Sequence, residues 1–139
     1  MEVIDWDANV DPAFKEKHFM SPVVIEKNDS YTEEWICYKC PVVSAKRLTV
    51  YPAESAMIYD EAPYGMILIE GRGKMEDWDI ETPTLIRYGE LTNDEFFVTE
   101  SAAKAGVLIT NTSSTEPLVM LKHFSENPEL DRFMKANLA

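Results

Sequence analysis

Short apolar runs, separated by turn residues, dominate the chain between residues 34 and 124. In several runs apolar and polar positions alternate, so that Leu48 and Val50, for example, would share one face of a strand. Gly71 and Gly73 fall between two runs, where we expect a hairpin turn that favours glycine. Many short runs at close spacing indicate an all-β sandwich or barrel. We predict strands at residues 35–38, 47–51, 56–59, 64–70, 84–87, 95–98, 106–110 and 118–124.

The first 33 residues show a different pattern. We predict a short helix from Asp11 to His18, because Pro12 suits the first turn of a helix, and a short strand at residues 23–25. The remainder of this segment has no regular periodicity. The chain is therefore predicted to have an irregular lead-in over residues 1–33, followed by a β-barrel over residues 34–124.

The last 15 residues, 125–139, are predicted to form an amphipathic helix. Asn127 is a suitable cap and Pro128 a suitable first residue for this helix. Apolar residues then recur at spacings of three and four and form one stripe. The stripe consists of Leu130, Phe133, Met134 and Leu138. We expect this helix either to cover the barrel or to meet a partner subunit.

The charge of the chain limits its partners. The 139 residues have the length of one domain and carry 25 acidic and 13 basic side chains, a net charge of −12. Such a surface repels phosphate backbones and anionic lipid, so we expect no nucleic-acid partner and no membrane partner. The N-terminus lacks the apolar run of a signal peptide, and the longest aliphatic run, residues 66–69, is far short of the roughly 20 residues that span a bilayer. We therefore expect a soluble, cytoplasmic protein.

Two segments resemble the sequence motifs of a known superfamily. Residues 64–73 match the strand, closing glycine and turn of its first motif. Gly89-Glu90 resembles the start of its second motif, residues 96–98 the strand and residues 111–113 the end. Over residues 45–124 the chain thus resembles the cupin superfamily of RmlC-like jelly rolls, and its texture is closest to the cupin half of class I mannose-6-phosphate isomerases and their uncharacterised relatives. The resemblance implies a double-stranded β-helix and a homodimer.

The metal ligands of that superfamily are missing here. By position, its two histidines fall near Met57 and Tyr59, or near Ile58 and Asp60 if the turn is one residue shorter, its glutamate falls at Tyr64, and its late histidine falls near Lys104. These residues do not make the imidazole and carboxylate set that a transition metal prefers. We therefore predict that the protein binds no metal and needs no cofactor.

The positions left by the missing ligands could still form a ligand site. In the cupin register, Tyr64, Met66, Leu68 and Glu70 alternate into the barrel mouth, with Met57 and Tyr59 opposite and Lys104 in a later connection. We predict Tyr59, Tyr64 and Lys104 as ligand-binding residues, because tyrosine can stack on a sugar face and lysine can hold a carboxylate or phosphate. The alternative is that these side chains only fill the barrel.

The cysteines and histidines suggest weaker possibilities. Cys37 and Cys40 have the spacing of half a zinc site, with His18 and His123 as the two histidines available to complete it. On one strand the two cysteines would point to opposite faces, so we interpret them first as ordinary half-buried residues. A redox pair is a further alternative. His123 shares the strand face of apolar residues and is interpreted as a hydrogen-bonded packing residue.

Three functions remain open. The first is a metal-free cupin domain that binds a small polar ligand, such as a sugar or sugar phosphate, in the barrel mouth. The second is a structural cupin that serves dimerisation without a ligand. The third is a sugar or sugar-phosphate isomerase or epimerase that works without metal through tyrosine and lysine, although both groups titrate far from neutrality.

Overall fold

The computed structural model describes residues 5–40, 42–82 and 88–137, which form ten strands and four helices. The strands lie in two antiparallel sheets, one of six strands in the order β1-β2-β3-β10-β5-β8 and one of four in the order β4-β9-β6-β7. The strands are β1 Val23–Lys27, β2 Tyr31–Cys37, β3 Ser44–Val50, β4 Ser55–Ile58, β5 Tyr64–Glu70, β6 Arg72–Met75, β7 Trp78–Glu81, β8 Glu95–Val98, β9 Val107–Asn111 and β10 Leu118–Phe124. The helices are α1 Trp6–Val10, α2 Phe14–His18, α3 Glu100–Ala105 and α4 Pro128–Asn137.

The core lies between the two sheets and follows from the alternation of the strands. On β3, Leu48 and Val50 are completely buried, as their shared parity predicted. Ile109 on β9 belongs to the same apolar cluster and comes from the four-stranded sheet. The prediction of an all-β fold with a short C-terminal helix is confirmed.

The strand predictions are close to the observed elements, with some omissions. The predicted strands at 64–70, 95–98 and 118–124 coincide with β5, β8 and β10, whereas the predicted strand at 84–87 lies outside the described residues. Two strands, β6 and β7, and the helices α1 and α3 were missed. They are short: α3 has six residues, and its N-terminus is capped by the hydroxyl of Thr99, which accepts from the Ala102 N–H at 3.4 Å.

The predicted hairpin at Gly71 and Gly73 is wrong. Gly71 joins β5 of one sheet to β6 of the other, so the chain turns a corner between the sheets, and Gly73 lies within β6. Gly71 has a φ of +87°, and a Cβ there would lie 2.3 Å from the carbonyl oxygen of Pro117. A Cβ on Gly73 would lie 2.2 Å from the carbonyl oxygen of Thr110. Glycine is therefore needed here for close backbone packing.

The two ends of the chain pack on this sheet framework. β1 pairs with β2, so the six-stranded sheet begins at Val23 and the predicted boundary at residue 34 falls inside β2. At the other end, α4 packs Leu130, Phe133 and Met134 against the core, with the Phe133 ring 6.0 Å from that of Tyr38, whereas Leu138 of the predicted stripe lies outside the described residues. Of the two predicted roles for this helix, the structure shows the covering of the barrel. No helix within the described ranges is long and apolar enough to cross a membrane.

Candidate functional site at one end of the barrel

Four charged side chains meet inside the barrel and form what we call the interior ion cluster: Glu33, Lys46, Asp60 and Lys122. Lys46 on β3 and Lys122 on β10 face inward directly opposite each other. Asp60, between β4 and β5, bridges them, since its Oδ1 accepts from Lys46 Nζ and its Oδ2 from Lys122 Nζ, each at 2.7 Å. The Oε2 of Glu33, on β2, lies 3.6 Å from Lys46 Nζ. The Oε1 of Glu33 contacts Lys122 Nζ as an ion pair, but without the geometry of a hydrogen bond. The two positive and two negative charges balance.

A fifth charge reaches this cluster from α4. Glu129 Oε2 contacts Lys46 Nζ, and Glu129 Oε1 accepts from the backbone N–H of Glu61 at 3.2 Å. The Glu129 side chain is 25% exposed, whereas that of Lys46 is 1% exposed. The helix that covers the barrel thus also places a carboxylate over its interior charges.

The charges of the interior ion cluster help to determine the protonation states of Lys46, which belongs to it, and of Tyr64, which lies beside it. Burial would lower the pKa of Lys46, but the charges of Glu33 and Asp60 outweigh burial and raise that pKa above its ordinary value. Burial, together with the charges of Asp60 and Glu33, raises the pKa of the Tyr64 hydroxyl. At neutral pH Lys46 is therefore an ammonium ion and Tyr64 a neutral phenol, and neither serves as a general base.

The structure does not bring together the three residues that the sequence suggested for ligand binding. Tyr64 is buried and faces the barrel interior, in agreement with the predicted register of β5. Tyr59 is 60% exposed, and its ring lies close to Gly106. Lys104 is on α3 at the surface, where its ammonium group pairs with Glu100. The prediction that these three residues share one pocket is therefore wrong. A ligand-binding role for any one of them stays a prediction.

The wrong position predicted for Tyr59 comes from the register of β4. Met57 is exposed, while its neighbours Ala56 and Ile58 are buried, so this strand turns the opposite set of side chains inward. A shift of one residue exchanges the two faces of a strand. The shorter-turn alternative, with Ile58 and Asp60 at the two histidine positions, is the one whose side chains are buried. On β5, Met66 and Leu68 face inward as predicted, but Glu70 is exposed.

The side chains at these positions do not suit a divalent metal. Both oxygens of Asp60 already accept hydrogen bonds from ammonium groups, Ile58 has no donor atom, and Tyr64 is a neutral phenol. The charges of Lys46 and Lys122 would repel a cation placed beside Asp60. Within residues 5–40, 42–82 and 88–137, no three His, Cys, Asp or Glu side chains form a group that could hold a metal ion.

The cysteines and histidines lie apart from the interior ion cluster. Cys37 and Cys40 are both free thiols and half-buried. Burial, with a smaller effect of Cys40, raises the pKa of Cys37, which disfavours the reactive thiolate. His18 is exposed and stacks on Phe14, and His123 is half-buried opposite Ala45 on the outer face of the six-stranded sheet.

An open cavity of about 500 Å³ lies at the end of the barrel where α4 begins. It is formed by the end of β2, the start of β3, the turn after β10 and the first turns of α4. Val43, Leu130 and Met134 supply apolar surface. We call it the barrel-end cavity, and none of the three residues predicted from the sequence as ligand-binding lines it.

Two side chains of the barrel-end cavity carry buried polar atoms without a hydrogen-bond partner. They are the hydroxyl Oγ of Ser44 and the amide Nδ2 of Asn127. The Asn127 Oδ1 is used, since it accepts from the backbone N–H of Glu129 at 3.0 Å and caps α4. A buried polar atom left without a partner costs stability by about 1–3 kcal/mol, so such atoms indicate a missing bonding partner.

The sequence contained one usable signal for these features. Lys46 shares strand parity with Leu48, and Lys122 shares parity with Met120, so both lysines occupy core-facing positions in otherwise apolar strands. A charge at such a position predicts a buried partner of opposite charge. The barrel-end cavity has no comparable signal, because its walls come from four separate parts of the chain.

Comparisons with known proteins identify the fold. No protein-family model and no curated protein sequence matches the chain significantly. Among solved structures, the polyketide cyclase RemF from Streptomyces resistomycificus superposes with a TM-score of 0.51 at 11% identity, over 81% of this chain and 78% of RemF. An RmlC-like cupin protein from Ralstonia eutropha gives a TM-score of 0.51 at 8% identity, over 84% and 83% of the two chains.

A larger protein shares the same fold in part of its length. The oxalate decarboxylase from Lactobacillus farciminis, solved as a formate complex, superposes with a TM-score of 0.52 at 17% identity, over 78% of this chain and 31% of that one. At such identities the likeness is one of fold. The similarity to mannose-6-phosphate isomerases stays a prediction.

Proposed function

We propose that this protein, with its cupin jelly-roll fold, binds a small polar ligand in the barrel-end cavity. The observation that supports this function is that Ser44 and Asn127, two residues of the cavity lining, each carry a buried polar atom without a partner, Oγ and Nδ2 respectively. A ligand would supply the hydrogen bonds that these atoms lack. The cavity volume of about 500 Å³ also falls in the range typical of small-molecule sites.

The lining favours a neutral, hydroxyl-rich ligand. Asn127 Nδ2 can only donate, and Ser44 Oγ can donate or accept, so the ligand needs at least one acceptor oxygen. The lining also carries one cation, Lys39, and two anions, Glu126 and Asp131. This excess of negative charge disfavours a phosphate dianion. A sugar therefore fits better than a sugar phosphate.

Binding is better supported than catalysis. Acid–base chemistry at neutral pH needs a group whose pKa lies near neutrality. In Tyr64 and Lys46, the tyrosine and lysine at the interior ion cluster, the pKa is raised away from neutrality. An isomerase or epimerase that works through these groups is thus the less favoured function.

Replacing Ser44 with alanine is expected to weaken ligand binding without weakening the fold. Ser44 Oγ has no partner in the free protein, so its removal sacrifices no hydrogen bond. A lost ligand bond is worth about 1 kcal/mol, roughly a fivefold increase in Kd. The measurement is a ligand-observed NMR screen of neutral sugars, sugar phosphates and small carboxylates, followed by calorimetric titration of the best ligand into both proteins.

Ser55→Ala is the matched control for this experiment. Ser55 lies on β4, its hydroxyl bonds Thr110 Oγ1 at 3.0 Å, and it does not line the cavity. Its substitution should leave the ligand affinity unchanged. Equal Kd values for the Ser44→Ala and wild-type proteins, with equal melting temperatures, would show that the ligand binds elsewhere.

A second candidate function is self-association through the outer face of the six-stranded sheet. Val24, Ile67, Ile69 and Phe97 are large apolar residues exposed in this sheet. Phe97 lies opposite Gly65 on the neighbouring strand. A Cβ built on Gly65 would have no neighbour within 4 Å, so the surface around this pair is open. Exposed apolar patches of this kind often mark interfaces. The apolar stripe of α4 no longer supports a dimer, since it packs on its own barrel.

Replacing Phe97 with glutamate is expected to shift a dimer towards monomer. An aromatic residue at the centre of an interface contributes strongly to binding, so the dimer Kd should rise at least about tenfold. Sedimentation velocity over a range of concentrations measures this change. Trp78→Glu on β7 of the other sheet is the control and should leave the association unaltered. If the wild-type protein sediments as a monomer at all concentrations, self-association is excluded as its function.

A further inference from the structure

Glu129 differs from the other carboxylates that contact the interior lysines. Glu33 and Asp60 belong to the barrel, whereas Glu129 is on the helix α4, which covers it. It is also the most exposed of the three carboxylates, with a side chain 25% exposed. Glu129 can therefore leave the cluster if α4 moves, while the strand residues stay in place.

The charge balance does not require Glu129. The interior ion cluster alone, Glu33, Lys46, Asp60 and Lys122, sums to zero. Glu129 adds one negative charge to a set that is already neutral. An external monoanion in its place would leave the same total, so exchanging the two carboxylates costs no net charge in the interior.

The contacts of Glu129 define a carboxylate site. One oxygen meets the Lys46 ammonium group, and the other accepts the backbone N–H of Glu61 at 3.2 Å. A cation and a backbone donor are thus arranged for the two oxygens of one carboxylate. Lys46 also lies 5.1 Å from the centre of the Trp35 ring, which walls the site on an apolar side.

The attachment of α4 is modest. It has ten residues, and isolated helices of this length are marginal in water, so it depends on its packing against the barrel. Besides the contacts of Glu129, that packing includes the partly buried Leu130, Phe133 and Met134 and an exposed ion pair between Arg132 and Glu61.

We propose that Lys46 and the Glu61 N–H form a binding site for a small carboxylate, and that Glu129 occupies this site when no ligand is bound. The ligand carboxylate replaces that of Glu129, and α4 is displaced from the barrel end. Neither Lys46 nor Glu129 lines the barrel-end cavity, so this site can be tested without a ligand there, but displacement of α4 would also move the cavity wall that Leu130 and Met134 form.

Acetate binding to the Glu129→Gln protein tests this site. In the wild-type protein the tethered carboxylate competes with acetate at a high effective concentration. Glutamine keeps the shape of the side chain but removes its charge, so the acetate Kd should fall at least about tenfold. Calorimetric titrations of acetate at constant ionic strength measure the Kd for the wild-type and Glu129→Gln proteins.

Glu95→Gln is the charge-matched control, since Glu95 is exposed on β8 and should leave the acetate Kd at its wild-type value. Equal Kd values for wild type and Glu129→Gln, or no acetate binding to either, overturn the proposal. Inorganic phosphate is titrated in parallel. Phosphate binding to the Glu129→Gln protein more tightly than acetate overturns the assignment to carboxylates.

A second measurement uses the unaltered protein. Amide hydrogen exchange is followed with and without saturating acetate, against chloride at the same ionic strength. Displacement of α4 predicts faster exchange in residues 130–137 and unchanged exchange in β9. Unchanged exchange in α4 under saturating acetate contradicts the proposal.

Discussion

Replacing Asp60 with asparagine is expected to destabilise the protein by about 3–5 kcal/mol, because it breaks a buried ion pair from one side. Asp60 is the residue that bridges Lys46 and Lys122, with one oxygen 2.7 Å from each ammonium nitrogen. The two lysines lie opposite each other on adjacent strands, where like charges repel. Asparagine retains the volume but removes the carboxylate that bridges the two lysines, whose remaining anionic partners are Glu33 and the partly exposed Glu129.

Urea unfolding monitored by circular dichroism measures this loss. Asp79→Asn is the control, since Asp79 is 80% exposed and pairs with Lys74 at the surface at 3.1 Å. An exposed pair contributes little, so this variant should lie within about 1 kcal/mol of wild type. Equal stability of the two variants would show that the buried cluster does not contribute as its geometry indicates.

Replacing Gly71 with alanine is expected to cost about 3 kcal/mol, from two effects that act together. Gly71 has a φ of +87°, which L-residues other than glycine adopt only with strain. Its new Cβ would also lie 2.3 Å from the Pro117 carbonyl oxygen, a backbone atom that cannot turn aside as a side chain can. The corner between β5 and β6 would have to open.

Gly65→Ala is a matched control on the same strand. A Cβ at Gly65 has no neighbour within 4 Å, and this glycine does not have a positive φ. Alanine there should be neutral or slightly stabilising, since it reduces the entropy of the unfolded chain. The melting temperatures of the two variants measure this difference. An equal decrease in melting temperature at both positions would mean that the corner is not tightly packed.

The fold could be predicted because its strands alternate clearly. The patterns of β5 and β10 gave their bounds, the pattern of β5 also gave its buried face as far as Leu68, and the glycine at residue 71 marked the end of β5. The sequence could not show which face of β4 is buried. This strand has only four residues, and Met57 and Ile58 offer an apolar side chain to each of its two faces. That ambiguity put Met57 and Tyr59 on the wrong side.

The candidate site could be predicted only in part. Tyr64 was placed correctly, and Asp60 was one of two residues considered for its position. The pairing of Lys46 with Lys122 through Asp60 required knowing that β3 and β10 are neighbours in the sheet, although these strands lie far apart along the chain. The missing partners of Ser44 and Asn127 became visible only when the packing around them was known.

The central claim is that the ligand site is the barrel-end cavity. Two-dimensional NMR of the isotope-labelled protein, titrated with the tightest-binding sugar, tests this claim most directly. The backbone amides of Lys39, Cys40, Ser44 and Asn127 should shift together with one common Kd. Shifts confined to Tyr59 and Lys104, or to the outer face around Phe97, would contradict it.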